Sequence, residues 1–574
     1  MTSPWRTLIP ALALCCALPA IAAREFTPQA GLWMIPSENN GQPGRGFSLD
    51  VQGNTAFLQV FNYEKSGAAT FHTAVGQLDD AATMTVPLLR FKGGRSFGGP
   101  VQDAVADGTA GDVTVKFANG LNGTVQFPGE SEQPISRFLI DQKLPLPLWW
   151  TQASDAPPVG ERGGMVFHWS ATGTDGSRRT WTSTLQSDAK GALSLDAWPE
   201  IIDTTYYSNT INYDLKCKLE SATQIVDCAL SGNAEAPVPE SESHGIARVR
   251  FRVLGRDVVG VIQPQSDPTQ RITLNGWTKG SYSCKESCMN ASLRTTRSYT
   301  TADYESNADC ILGWCGGYGY MMMQPTSGAW VIEEENTGRP GRGVFLDIQD
   351  GAIVMQTSDY LANGEPTFHM GSGALDTSTI EHADTTASMP LVRYAGGRYF
   401  GGPVQAGHEV AKAGTLGLSF ALRVDNASND MATGRITLPG EGAKTIRRLA
   451  FNPPGDGIDH MLGEYFIRWS SGQPAIQSWV QLSRVEGRFA MNADGTVQCY
   501  QEIPRLKLYS MRCALLDPAN PGQSWKGIAD ITVNPFHRDV TSGSTATFLR
   551  TRDQFGHWLG LGAVKLPGLA IPAQ

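Results

Sequence analysis

Three types of polar residue that could take part in ligand binding occur at matching places in two distant parts of the chain. A histidine changes its charge near neutral pH, and an arginine beside an aspartate could line a polar site. Because the matching positions keep the same residue types, we consider them candidate ligand-binding residues. The four pairs are His72 and His369, Arg45 and Arg342, Asp50 and Asp347, and Arg95 and Arg398.

The same eight residues also allow a purely structural interpretation. A lone histidine on a strand is usually a hydrogen-bonded structural group. An arginine paired with a carboxylate can hold a strand edge in place, and such pairs confer geometry more often than net stability. The sequence leaves both interpretations open.

Motifs of metal and cofactor sites do not accompany these residues. The sequence contains no His-Glu-x-x-His motif, and neither repeated histidine has a second ligand at metal spacing, so we expect no metal. It also contains no Gly-x-Ser-x-Gly, phosphate-binding, dinucleotide-binding or EF-hand motif, so we expect no cofactor and name no catalytic residue. A carboxylate pair for hydrolysis could still occur among the 55 acidic residues.

The elements that must position the candidates belong to a long internal repeat. Residues 31–78 and 328–375 align without a gap, and 21 of the 48 positions are identical. Residues 87–102 and 390–405 then share the motif Gly-Gly-Arg-x-Phe-Gly-Gly-Pro-Val-Gln, and the segments after them are related more faintly. The duplicated unit is therefore an N-type module followed by a C-type module.

This repeat predicts the domain organisation. We expect a signal peptide (1–23), a first N-type β module (24–141), a first C-type β module (142–265), a Cys-rich insert (266–326), a second N-type module (327–452) and a second C-type module (453–574).

Short alternating segments separated by turns predict the fold class. Phe47 to Gln52 alternates apolar and polar residues with period two, which is typical of a half-buried strand with one face in water. Glycine-rich turns separate it from similar segments. We therefore predict an all-β, disulfide-containing protein of tandem antiparallel β-barrel or β-sandwich modules in two duplicated units.

The first residues and the overall charge indicate where the protein acts. Arg6 is followed by an apolar stretch and by Ala20-Ile21-Ala22, a pattern typical of a signal peptide, so we expect export to the periplasm or the medium. No second apolar stretch is long enough to span a membrane. The net charge is −9 and there is no basic run, so nucleic acid is not an expected partner.

The cysteines agree with export. Without the two in the signal peptide, eight remain, and in an oxidising compartment disulfides are expected. Matching positions in the C-type modules predict the pairs Cys217 with Cys228 and Cys499 with Cys513. The partners within the remaining set stay open, and a zinc site is the alternative there: Cys284, Cys288, Cys310 and Cys315.

The N-type module resembles a known repeat on several short motifs. The first copy contains Gly31-Leu32-Trp33, Gly44-Arg45-Gly46-Phe47, Phe61-Asn62-Tyr63 and Thr70-Phe71-His72, and the second repeats most of them from Gly328. These motifs resemble a Gly-x-Trp, Gly-x-Gly-Phe β-repeat of secreted bacterial proteins, commonly without assigned function. Gly-x-Trp on a first strand is also similar to calycins such as lipocalins and avidins, where the tryptophan closes one end of a barrel. This resemblance implies that Trp33 and Trp330 are structural aromatics.

Two departures from the repeat put a shared aromatic site in doubt. Where the repeat has Trp-Tyr, both copies have Phe-His. In the second copy, Val344 replaces the phenylalanine that ends the Gly-x-Gly-Phe motif. Our leading hypothesis is an exported, non-catalytic binding or cell-surface protein whose partner is a small molecule, a polymer or a surface component. The alternatives are a secreted, carboxylate-based hydrolase of a polymer and a calycin-like carrier of a small apolar ligand.

Overall fold

The computed structural model describes most of the chain after the predicted signal peptide. The described residues are 24–140, 161–173, 176, 178–187, 192–199, 214–230, 246–285, 319–322, 325–349, 351–375, 384–421, 433–450, 458–469, 476–501, 509–517, 525–533 and 547–572. The predicted signal peptide and most of the Cys-rich insert lie outside them.

The first N-type module is a closed, antiparallel eight-stranded barrel in which β1 pairs with both β2 and β8. A 3-10 turn (Pro36–Glu38) follows the first strand. The strands are β1 (Gly31–Met34), β2 (Gly46–Gln52), β3 (Thr55–Tyr63), β4 (Ala69–Gln77), β5 (Thr83–Lys92), β6 (Val105–Phe117), β7 (Asn122–Gln126) and β8 (Gln133–Arg137).

The first C-type module also closes. Seven strands pair in chain order, and the eighth, β16, pairs with both β15 and β9. The strands are β9 (Glu161–Thr172), β10 (Arg178–Ser187), β11 (Leu193–Pro199), β12 (Asp214–Glu220), β13 (Ile225–Leu230), β14 (Ile246–Leu254), β15 (Asp257–Pro264) and β16 (Ile272–Lys285), with β17 (Gly319–Met322) added at the edge. Because β16 is needed to close this ring, the boundary that we predicted at residue 265 was too early.

The second N-type module repeats the closed eight-stranded barrel. A 3-10 turn (Glu333–Glu335) again follows its first strand. The strands are β18 (Gly328–Ile332), β19 (Gly343–Gln349), β20 (Ala352–Tyr360), β21 (Pro366–Ala374), β22 (Asp384–Ala395), β23 (His408–Ala421), β24 (Thr433–Thr437) and β25 (Ala443–Arg448).

In the second C-type module, the described residues form a three-stranded sheet, β27-β26-β33, and a five-stranded sheet, β28 to β32. A 3-10 turn (Ile458–Met461) precedes them. The strands are β26 (Gly463–Trp469), β27 (Ile476–Leu482), β28 (Arg484–Glu486), β29 (Phe489–Met491), β30 (Val497–Gln501), β31 (Tyr509–Leu516), β32 (Trp525–Val533) and β33 (Thr547–Arg552). The prediction of an all-β protein made of barrel modules is confirmed.

Each module has its own apolar core. In the first barrel, Trp33, Phe47, Leu58 and Phe117 belong to a buried cluster, and Trp33 stacks on Phe47 with ring centroids 6.4 Å apart. An equivalent cluster around Trp330 fills the second barrel. The C-type modules have separate clusters. Apolar side chains thus occupy the interiors of both N-type barrels.

One disulfide links neighbouring strands in each C-type module, as predicted. Cys217 pairs with Cys228 across β12 and β13, and Cys499 pairs with Cys513 across β30 and β31. The pairing of the other four cysteines stays a prediction. The described residues do not include Cys288, Cys310 and Cys315, or the side chain of Cys284. Within the described residues, no helix is long and apolar enough to cross a membrane.

Strand β2 differs from its predicted environment. Its polar side chains Ser48, Asp50 and Gln52 were expected to face water, but they are at most 4% exposed. The apolar face of β2 packs into its own barrel, and the second barrel covers the polar face. We refer to the contact surface between the two N-type barrels, built mainly from β1 to β4 and 93–104 against β18 to β21 and 396–407, as the inter-barrel interface.

Candidate functional site

The eight candidate residues lie in or beside the inter-barrel interface, where each is bonded or packed against protein groups. The two copies contact each other reciprocally: a residue of the first barrel contacts a residue of the second, and the equivalent pair occurs with the roles exchanged. Such an arrangement is the intramolecular counterpart of an isologous dimer interface.

The aspartates form the centre of this interface. Asp347 of the second barrel accepts hydrogen bonds from Arg137 Nη1 at 2.7 Å and Nη2 at 2.6 Å. Asp50 of the first barrel accepts the equivalent bonds from Arg448, at 2.5 Å from Nη1 and 3.1 Å from Nη2. All four residues are at most 4% exposed. These bidentate ion pairs orient the barrels, because a guanidinium and a carboxylate can form two parallel hydrogen bonds in only a few geometries.

Backbone groups complete the coordination of each aspartate. The amide of Leu32 donates to Asp347 at 2.8 Å, and the amide of Ala329 donates to Asp50 at 3.0 Å. Each guanidinium lies directly over the glycine of a Gly-x-Trp motif. A Cβ on Gly31 would lie 1.9 Å from Arg137 Nη2, and φ is +134° at that glycine. The glycine is therefore required both by backbone conformation and by the close approach of the arginine.

The tryptophans of the same motif are core residues. The indole Nε1 of Trp33 donates to the carbonyl of Gln29 at 3.1 Å, and that of Trp330 donates to the carbonyl of Thr326 at 3.2 Å. Both side chains are 2% exposed. Each tryptophan thus joins the lead-in segment to the packed interior of its barrel.

Arg45 and Arg342 each occupy a buried cluster of two glutamates. Arg45 donates to Glu38 and Glu130, with distances between 2.5 and 2.9 Å. Arg342 has the equivalent partners Glu335 and Glu441. Burial lowers the pKa of Arg45, but hydrogen bonds with the two glutamates outweigh this effect and raise it.

The glutamates in these clusters are held in the charged form. Burial raises the pKa of Glu441, but the opposing hydrogen bonds from Arg342 and Lys444 dominate and lower it to about 2. The pKa of Glu130 is lowered in the same way by Arg45. A general acid for hydrolysis needs a raised pKa, so these carboxylates are shifted in the unfavourable direction for that role.

Arg95 and Arg398 reach from one barrel into the glutamate cluster of the other. Arg95 Nη1 donates to Glu335 at 2.8 Å, and Arg398 Nη1 donates to Glu38 at 2.6 Å. The amide of Gly98 also donates to Glu441 at 3.0 Å. The repeated Gly-Gly-Arg motif is therefore a docking arm, and it brings together Arg45 and Arg398 from opposite copies.

The two histidines lie in matching positions but have different neighbours. His369 Nδ1 is 3.0 Å from Asp359 Oδ1. The residue that corresponds to Asp359 is Asn62, whose Oδ1 has no hydrogen-bond partner, and neither has His72 Nδ1. Burial, with a smaller contribution from Arg90, lowers the pKa of His72 to about 4. Burial raises the pKa of Asp359 against the opposing effect of His369.

Several residues of this interface were missed from sequence. Arg137 and Arg448 were not among the candidates, although they are the partners of the two aspartates. Glu38 and Glu335 were among the 21 identical positions, but an acidic residue in a turn did not stand out. Asking which repeated cation matches each repeated anion would have found these partners.

A separate cleft of about 180 Å³ opens where the four modules meet. The first barrel contributes Gln29 and Asp50, the second contributes Arg448, the first C-type module contributes Trp277, and the second contributes Asp553. Of the eight candidates, Asp50 is the one that lines this cleft. The cleft thus combines polar groups with open space.

The C-terminal segment holds these modules together. The amide of Thr27 donates to the carbonyl of Gly560 at 3.0 Å, and the amide of Gly120 donates to the carbonyl of Leu561 at 3.1 Å. Leu561 and Val564 pack with apolar residues of the first unit, including Leu254. The end of the second unit therefore packs against both modules of the first, next to the cleft.

No cluster of three or more potential metal ligands occurs among the residues that the structure describes. In comparisons with protein-family models, curated proteins and solved structures, nothing matched the chain. The functional argument consequently rests on the geometry of the interface and of the cleft.

Proposed function

We propose that this protein is an exported, non-catalytic binding protein in which the duplicated N-type barrels form a rigid scaffold. The observation that carries the proposal is the reciprocal pairing of the repeated charged residues. Asp50, Asp347 and the arginines that match them are used to join the two copies. Their repetition is therefore accounted for by assembly, without a reaction.

The disulfides support the location outside the cytoplasm. Cys217–Cys228 and Cys499–Cys513 are both formed, and structural disulfides persist in oxidising compartments. Whether the protein remains in the periplasm, at the surface or in the medium is part of the proposal to be tested by cell fractionation.

The two alternatives have less support. A calycin-like carrier needs a cavity inside its barrel, but both N-type interiors contain clusters of buried apolar side chains. A hydrolase needs a carboxylic acid that is protonated near neutral pH, and the repeated glutamates have lowered pKa values. The ligand-binding role of the eight candidates stays a prediction. At least nine-tenths of each of His72, Asp50 and Asp347 is buried, which leaves little of these side chains open to a ligand.

The proposal can be tested with the purified, oxidised protein and a panel of extracellular polymers. The panel contains cellulose, chitin, starch and peptidoglycan, and the assay records both retention of the protein and release of soluble fragments. We expect retention on at least one polymer without fragment release. Fragment release that Asp257→Asn or Asp553→Asn abolishes, while the control Asp267→Asn at an exposed turn leaves it intact, would establish a hydrolase instead.

A further inference from the structure

The turn between β28 and β29 places an arginine over two aromatic rings. The guanidinium carbon of Arg488 lies 5.4 Å from the ring centroid of Phe489 and 6.0 Å from that of Tyr500. The two rings belong to paired residues of neighbouring strands and meet edge to face, with centroids 6.3 Å apart. Aromatic rings attract a cation that lies over them. We refer to Arg488, Phe489 and Tyr500 as the arginine platform.

The arginine platform lies on the outer face of the five-stranded sheet. Ala490 and Cys499, which are the neighbours of its two aromatic residues in the chain, belong to the core cluster of the module. Because side chains alternate between the two faces of a strand, Phe489 and Tyr500 point away from that core. Both aromatic residues are partly exposed, and Arg488 is exposed. The platform is therefore accessible to a ligand from solution.

Other arginines of the described structure that lie over an aromatic ring also bond to protein oxygen atoms. They are Arg45, Arg178, Arg342, Arg550 and Arg552. Arg552, for example, donates to the carbonyl of Gly556 at 3.0 Å. Among the described residues, no protein oxygen accepts a hydrogen bond from Arg488, whose contacts are the two rings. Its donors are therefore available to a ligand.

The rings prepare Arg488 for binding. A flexible side chain loses conformational entropy when a ligand immobilises it. Contact with two rings restricts the guanidinium before a ligand arrives, so less entropy remains to be lost. A planar guanidinium with free donors can form two parallel hydrogen bonds with one carboxylate.

The charges around the platform favour an anion. Within the described β28–β29 hairpin, Arg484 forms an ion pair with Glu486, so these two charges compensate each other. Asp494 lies in the turn at the other end of β29, where it is bonded to Thr496. The charge of Arg488 is therefore left without a counterion in this hairpin. Because the whole chain has a net charge of −9, the attraction for an anion is local to this turn.

The first C-type module has different residues at the equivalent positions. Lys218 occupies the position of Tyr500, directly after a cysteine of the matching disulfide. Ala192 occupies the position of Phe489, next to the residue that pairs with that cysteine. The aromatic pair is thus a property of the second C-type module alone among these two hairpins.

The rings beside Arg488 narrow the class of anion. An aromatic ring provides an apolar surface next to the charged group. A hexuronic acid combines a carboxylate with the apolar C–H groups of a sugar ring, so both of its parts have a matching group on the platform. Polymers of such sugars are extracellular, where we propose that the protein acts.

We infer that the arginine platform binds a hexuronate unit of an acidic polysaccharide. Arg488 donates two hydrogen bonds to the carboxylate. Phe489 and Tyr500 hold the guanidinium in place and contact C–H groups of the sugar ring. This inference rests on the proposed binding function and deepens it by giving the binding protein a site and a ligand class.

The test measures binding of trigalacturonate to the full-length, oxidised protein by isothermal titration calorimetry. The matched probe is the methyl ester of the same trisaccharide, which keeps the sugar rings and removes the charge. Acetate carries the carboxylate without the sugar. We expect trigalacturonate to bind at least tenfold more tightly than either probe, a difference of about 1.4 kcal/mol.

Matched variants connect this binding to the platform. Arg488→Gln should weaken binding of trigalacturonate at least tenfold, and Arg488→Lys should recover only part of the affinity, because an ammonium lacks the planar fork of donors. Tyr500→Leu should weaken binding severalfold. The control Arg339→Gln removes the same charge from a side chain that is 75% exposed on the second N-type barrel, and it should bind as the wild type does. Circular dichroism checks that each variant is folded.

The inference is overturned if trigalacturonate does not bind at up to about 10 mM, a concentration that detects weak affinity. It is also overturned if the methyl ester binds equally well, or if Arg488→Gln binds trigalacturonate as tightly as the control does. None of these outcomes affects the proposed non-catalytic function, which fails only if the polymer assay detects fragment release that depends on a cleft carboxylate.

Discussion

The two N-type barrels and the two C-type modules have diverged to different degrees. Both N-type barrels close with eight strands in the same order. The first C-type module closes through β15, β16 and β9, whereas the described residues of the second form separate sheets of three and five strands. Within the described residues, the duplication thus shows one symmetric pair and one asymmetric pair.

Reciprocal contact explains this difference. In the inter-barrel interface, Asp50 bonds to Arg448 and Asp347 bonds to Arg137. Equivalent residues in the two copies therefore have equivalent partners. The C-type modules contact each other through unlike residues, such as Arg178 with Glu464. A substitution in one N-type barrel therefore disturbs a bond with the other barrel. The C-type modules lack such a reciprocal pair among the contacts of the described residues, so their sequences are less constrained by each other.

The largest effect is expected from breaking a central pair. Asp50→Ala or Asp347→Ala leaves a buried arginine without its carboxylate, which costs about 3–5 kcal/mol. If the interface is symmetric in energy as well as in geometry, the two variants will lose similar free energies of unfolding. Urea unfolding followed by tryptophan fluorescence measures both.

The control for this prediction is Asp112→Ala, at an exposed position on β6. It should change the free energy of unfolding by less than about 0.5 kcal/mol. A loss below about 1 kcal/mol in either interface variant would show that the matching geometry hides an unequal contribution.

The disulfides test the asymmetric pair. Their cysteines are 11 and 14 residues apart, so removing either bridge should cost about 3 kcal/mol through the entropy of the unfolded chain. We expect Cys499→Ala/Cys513→Ala to increase amide hydrogen exchange in its module more than Cys217→Ala/Cys228→Ala does, because a closed ring supports the strands of the first module from both sides. Equal increases in exchange would contradict a stabilising effect of ring closure.

Acid pH should destabilise the protein through His72. The pKa of His72 is about 4 in the folded protein and roughly 6.5 in the unfolded chain. The unfolded state therefore binds more protons below pH 6.5, and the contribution of His72 to stability is lost between about pH 6.5 and 4, by roughly 3 kcal/mol in all. The difference in unfolding free energy between wild type and His72→Gln, measured across this range, isolates the effect.

Asn62→Asp would make the first copy like the second, where a carboxylate lies beside the histidine. We expect this substitution to raise the pKa of His72, because a nearby negative charge favours the protonated ring. Histidine signals in NMR titrations report the change. A pKa near 6.5 for His72 in the unaltered protein would remove the basis of this prediction.

The smallest effect is expected from adding a methyl group to a glycine of each Gly-Gly-Arg motif, where a tyrosine of the other barrel lies close. A Cβ on Gly94 would lie 2.1 Å from Tyr360, and one on Gly397 would lie 2.0 Å from Tyr63. Gly94→Ala and Gly397→Ala should each cost about 1–3 kcal/mol as the tyrosine is displaced. Gly44→Ala is the matched control, because no atom lies within 4 Å of its Cβ position. Thermal unfolding that affects one glycine variant but not the other would show that the two arms are not equivalent.

The sequence alone determined the features that depend on short-range patterns. Period-two alternation and glycine turns predicted strands such as β2, because side chains of a strand alternate between its two faces. The repeat predicted the modules, and the matching cysteine pairs predicted both disulfides, because each pair lies on adjacent strands within one module.

Only the tertiary structure decided what the polar residues contact. Asp50 and Arg448 are 398 positions apart, and no local pattern connects them. Alternation showed that β2 has a polar face, but it could not show that a second barrel covers that face. The cleft beside Gln29 likewise exists only where four modules meet. Periodicity reports how a strand divides its two faces, whereas the packing of whole modules decides which face meets water.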